Sequence, residues 1–124
     1  MIKTMKLLIT GDRNGFDLNR MIEEIKLINP TEIIVGDARG VDYSTFLIVK
    51  QLNIPINPNN ENKPYKANWD KYGKMAGPIR NKEMLDQKPD FVLAFHSNYK
   101  TSKGTKNCIE QAKLMNIPYK LVEK

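Results

Sequence analysis

The sequence predicts an α/β fold in which a five-stranded, mainly parallel sheet is covered by helices on both faces, a Rossmann-like three-layer sandwich. Three observations carry that prediction. Short apolar runs alternate with stretches of helical period along the whole chain, the pattern of successive strand–helix units. The first two runs stop abruptly at a glycine, as buried strands do at a tight turn. The 124 residues, 40% hydrophobic and 27% charged, suit one soluble globular domain over 1–124.

Met5-Lys6-Leu7-Leu8-Ile9-Thr10 is the first strand, stopped by Gly11. From there Leu18, Met21, Ile22, Ile25 and Ile28 follow the helical period, and Asn29-Pro30 ends the helix. Ile33-Ile34-Val35 is β-branched and runs into Gly36, a second buried strand. Val41 to Leu52 carries Phe46, Leu47, Val49 and Leu52 at helical spacing. Ile54-Pro55-Ile56 reads as a third strand, placed at an edge because proline has no N–H to donate.

Asn57 to Lys74 breaks the pattern. It is rich in Asn, Pro and Lys, and about 18 residues without a period is long for a loop inside a compact domain. Trp69, Tyr72 and Lys74 lie in its later half. Trp69 serves either to stack on a base or to anchor the loop. A helix follows from Pro78 to Gln87, with proline suited to its first turn. Asp90 to Phe95 is the fourth strand, Lys106 to Asn116 a helix with Ile109, Ala112 and Met115 inward, and Pro118 to Val122 the fifth strand.

Composition narrows the function classes. No run of about 18 apolar residues is present to span a membrane. The segment from Met1 to Thr10 is too short and lacks the cleavage site of a signal peptide. One cysteine, Cys108, makes neither an internal disulfide nor a zinc site, which points to a cytoplasmic protein without a metal. The net charge of +6 favours anionic partners, although many of its lysines lie on helix faces, where solvation is the usual role.

Ligands of open α/β sheets bind beyond the carboxyl ends of the strands. Three strand ends lead into polar loops of one chemistry: Gly11-Asp12-Arg13; Gly36-Asp37-Ala38-Arg39-Gly40-Val41-Asp42; and the stretch from His96 through Ser97 to Lys103-Gly104-Thr105; a fourth element, Gly77-Pro78-Ile79-Arg80-Asn81, opens a helix. Glycines let backbone amides approach an oxyanion, helix N-termini add free N–H groups, and arginine offers a planar fork to phosphate. The candidate ligand-binding residues are therefore Gly11, Asp12, Arg13, Gly36, Asp37, Ala38, Arg39, Gly40, Asp42, Gly77, Arg80, Asn81, Ser97, Lys103, Gly104 and Thr105. Bland readings stand beside these: the glycines as tight turns, Arg39 paired with Asp37 or Asp42, and Asp42 as a helix cap or a ribose acceptor. His96 and Cys108 fit structural roles, since no serine–histidine–acid arrangement is visible.

As a set, in this order, the motifs resemble the SLOG superfamily, which includes the DNA-processing protein of natural transformation and the Lonely Guy phosphoribohydrolases. The likeness is to its small stand-alone YspA-like branch and covers nearly the whole chain. The resemblance implies a Rossmann-like sheet and a pocket for nucleotides or nucleotide-derived signals. Lonely Guy enzymes carry Pro-Gly-Gly-x-Gly-Thr-x-Glu-Glu; here Gly104-Thr105 is followed by Lys106, Asn107 and Cys108, with no acid at the matching place. The expected function is therefore a sensor or sequestering protein for a nucleotide-derived molecule, without a cofactor. A nucleotide N-glycosidase or phosphoribohydrolase is the alternative, and single-stranded nucleic-acid binding the second. A homodimer, completing a pocket with the long loop, is the weakest expectation.

Overall fold

In the computed structural model, which describes residues 3–123, the chain is a mixed α/β fold around one parallel sheet. Met1 and Ile2, part of the segment weighed above as a signal peptide, and Lys124 lie outside the described residues. Strands β1 (Lys6–Gly11), β2 (Glu32–Val35), β3 (Phe91–Phe95) and β4 (Tyr119–Val122) lie in the order β2-β1-β3-β4. All three pairings are parallel, with Leu8 opposite Ile34 and Val92, and Ala94 opposite Leu121.

The sheet has four strands, not the expected five. At Ile54-Pro55-Ile56 only Ile56 forms an isolated bridge, to Ile33. Two residues explain the loss. Pro55 has no amide to give, and Asn57 turns the chain away at φ 42°. The side chain of Asn57 then does the strand's work: its Oδ1 accepts from the Val35 amide at 3.0 Å, and its Nδ2 donates to the Val35 carbonyl at 3.2 Å. Tyr65 completes the edge by donating its amide to the same carbonyl at 2.9 Å.

Because strand side chains alternate, β1, β2 and β3 feed two apolar clusters. Leu7, Ile9, Ile33, Val35, Leu93 and Phe95 pack with Met21 and Ile25 of α1 (Leu18–Ile28) and Val41, Ile48 and Val49 of α2 (Val41–Gln51). Leu8, Ile34 and Val92 pack with Met84 and Leu85 of α4 (Ala76–Leu85) and Cys108 and Ala112 of α5 (Gly104–Leu114). The short α3 (Trp69–Tyr72) lies between α2 and α4 in sequence. Asp17 caps α1 by accepting from the Asn19 and Arg20 amides, and Asn29 closes it in the left-handed conformation. Three apolar residues expected to face inward are exposed instead: Leu18, Leu47 and Met115. Each sits at or near a helix end or on the flank of the apolar stripe, where the period alone does not fix burial.

Candidate functional site

Beyond the carboxyl ends of β1 and β2 lies a cleft of about 350 Å³ lined by Arg13, Asp37, Ala38, Arg39, Ala67, Trp69 and Arg80. A smaller depression of about 190 Å³, between the C-terminal ends of α1 and α2, is lined mainly by aliphatic groups, with Lys26 its only charge. Only the first gathers several charged groups from separate segments.

Its walls are fixed by close backbone packing. Gly40 holds a φ of 76°, a conformation L side chains rarely adopt, and a Cβ there would run into the Asp12 and Arg13 backbone. The Val41 amide donates to the Asp12 carbonyl at 2.9 Å, and the Asp12 amide to the Phe95 carbonyl at 2.9 Å. The loop after β2 is thus clamped on the loop after β1, and the Arg13 and Arg39 side chains are left in solvent. Gly11 ends β1 against the Phe95 carbonyl and the Val41 side chain.

Gly36 makes room for a charged interior. A Cβ on it would lie 2.8 Å from the Arg80 guanidinium carbon and 2.8 Å from Asp42 Oδ2. Arg80 is itself nearly buried, donating from Nη1 to Asp37 Oδ1 at 3.2 Å and from Nε to Asn81 Oδ1 at 3.2 Å. It is therefore Arg80, not Arg39, that takes Asp37. Asp42 neither caps α2, whose cap is Gly40, nor lines the cleft; it accepts the Ala38 amide at 3.1 Å. Burial pushes its carboxyl up to about 6, against the opposing pull of Arg80 and the Ala38 amide.

The remaining predicted residues divide by position. Gly77 lies under Trp69: a Cβ there would be 3.3 Å from the indole Cη2. Asn81 donates to the Gly104 carbonyl and to Asn107 Oδ1, both at 3.2 Å, so it joins α4 to the start of α5. Ser97 and Lys103 are exposed, Gly104 opens α5 and Thr105 is buried; none of the four lines the cleft. In that region Ser102 Oγ accepts the Lys106 amide at 3.2 Å and the His96 Nδ1 accepts the Asn98 amide at 3.0 Å. His96 Nδ1 stands 3.8 Å from Asp12 Oδ2. Cys108 is core, its thiol pushed up to about 12 by burial and by the nearby Asp42 charge.

Ala67 and Trp69 are cleft residues outside the motif-based set. The signal for Trp69 was present as the aromatic in the long loop; Ala67 offers no chemistry to read. The ring edge of Trp69 rests on α4 while the residue stays 54% exposed at the cleft. Among the described residues no cluster of histidine, cysteine and acidic side chains could hold a metal, and no helix is long and apolar enough to cross a membrane.

The chain is 39% identical over 122 residues to Gene 61 protein of Mycobacterium phage D29, covering 91% of this chain and 92% of the phage protein. This chain belongs to the family of that phage protein. No model of a known protein family matches the sequence, and no solved structure does.

Proposed function

We propose that this protein binds a phosphate-bearing, nucleotide-derived small molecule in the cleft between Arg13, Arg39, Arg80 and Trp69. On this reading it is a cytoplasmic sensor or sequestering protein, built on a Rossmann-like three-layer fold of the SLOG type. One observation carries the proposal: arginines from three sequence-distant segments and the chain's single tryptophan border the same cavity. Arginine forks suit phosphate oxygens, and a half-exposed indole held on one edge suits a base or another flat ring. Recognition is favoured over cleavage because Asp42 is enclosed under the Ala38 amide and α5 begins without the acid of the Lonely Guy pattern.

A thermal-shift screen with nucleoside phosphates, cyclic nucleotides and ADP-ribose derivatives tests the reading. Stabilisation by at least one class is expected, reduced in Arg39→Ala, whose exposed side chain leaves the core untouched. Melting unchanged by every compound would overturn it. Release of free base from a nucleoside monophosphate would instead establish the glycosidase alternative.

A further inference from the structure

Arg80 faces two carboxylates of different character. Asp42 is sealed inside and accepts the Ala38 amide at 3.1 Å. Asp37 stands on the cleft wall with its side chain 35% exposed, against 11% for Arg80. A single oxygen of Asp37, Oδ1, accepts from Arg80 Nη1 at 3.2 Å and from the Ala67 amide at 3.4 Å. Ala67 lies two residues before Trp69 and lines the same cleft. Asp37 thus links the most enclosed cation of the cleft to the segment that carries its aromatic ring.

We propose that Asp37 is an internal stand-in for the ligand's anion, a latch that a bound phosphate displaces from Arg80, freeing the segment around Ala67 and Trp69. The inference rests on the reading of the cleft as a phosphate site and adds its regulation. Both the carboxylate and a phosphate oxygen are acceptors for the same guanidinium edge, so Arg80 exchanges one for the other. Asp37 sets the threshold: a ligand gains Arg80 only if its anion binds the guanidinium better than a tethered carboxylate does. The exposure of Asp37 lets it swing into water once released, whereas Asn81 Oδ1, which accepts from Arg80 Nε at 3.2 Å, keeps the guanidinium in place.

Inorganic pyrophosphate is the probe, titrated calorimetrically into wild type, Asp37→Asn and Asp70→Asn, each first checked for an unchanged fold by circular dichroism. Asp70, exposed in α3, controls for the loss of one negative charge. Removing a competitor held by a partly exposed ion pair is expected to tighten binding about fivefold in Asp37→Asn. Asp70→Asn should stay within about twofold of wild type, since solvent and salt screen its charge. Deuterium uptake over 65–69 should rise on adding pyrophosphate to wild type and be high from the start in Asp37→Asn. Equal or weaker binding by Asp37→Asn, or an equal gain in Asp70→Asn, overturns the latch and leaves the cleft reading standing. No binding by wild type or Asp37→Asn overturns both.

Discussion

Two loop regions of this protein carry the same residue types and end up doing different things. After β1 and β2, Arg13, Asp37 and Arg39 project into a shared cavity because the backbone beneath them is tied down by Gly40, the Asp12 carbonyl and the Val41 amide. After β3, the polar groups are used internally: Ser102 serves the Lys106 amide, His96 serves the Asn98 amide, and the Gly104 carbonyl takes Asn81. In the first region backbone bonds and the Asp37 and Asp42 carboxylates hold the loops, leaving the Arg13 and Arg39 side chains to line the cavity. In the second the polar groups hold the loop and line no such cavity.

The comparison breaks most visibly at Arg80. Arg80→Ala should abolish ligand-induced stabilisation and also cost about 1–3 kcal/mol of folding stability, since the nearly buried guanidinium's bonds to Asp37 and Asn81 are lost; urea denaturation reads the second effect. Asn57→Ala comes next, at about 2–3 kcal/mol, because the buried Val35 amide loses its partner; a loss below about 0.5 kcal/mol would show that the edge of β2 does not depend on that side chain. Trp69→Ala should weaken nucleotide binding by roughly tenfold, as removing a stacking surface does. A glycine pair is the sharpest contrast. Gly36→Ala drives a methyl into Arg80 and Asp42 and should disrupt binding, whereas Gly104→Ala meets nothing within 4 Å and should leave both binding and stability near wild type.

Acid titration separates two buried carboxylates, Asp42 at the start of α2 and Glu24 in α1. Asp42 has its folded value raised to about 6 from 3.8, so between those values the folded state holds more proton than the unfolded one. Its contribution therefore grows as pH falls through 6 and is complete below 3.8. Glu24, in α1, is lowered chiefly by its hydrogen bond from Lys120, so its contribution is present above 4.5 and is lost as pH falls further. Asp42→Asn should flatten the stability curve between pH 6 and 4 and leave the acid limb intact.

Most of the framework was legible in the sequence because burial leaves periodic marks. Ile33-Ile34-Val35 and Asp90 to Phe95 appear as strands within a residue or so of expectation, and Asn29 ends α1 where its left-handed tolerance allows. The third strand was illegible as a failure. Ile54-Pro55-Ile56 has strand composition, but whether a side-chain amide 22 residues from Val35 replaces the ladder is a tertiary event that no local pattern records. The cleft was half legible. Arg13, Arg39 and Arg80 stand out by type, yet the choice of Asp37 over Asp42 as the exposed partner depends on how closely Gly36 lets Arg80 approach. Ala67 could not have been found from sequence, since it contributes only a backbone amide.

The most direct test uses the protein's own reporter. Trp69 is the sole tryptophan and lines the cleft, so its fluorescence reads occupancy without a label. Titration of the wild-type chain with nucleoside phosphates and ADP-ribose should give saturable quenching by at least one of them, weakened in Arg39→Ala and unchanged in Gly104→Ala. Emission that stays constant with every compound, or quenching that is undiminished in Arg39→Ala, would contradict the account.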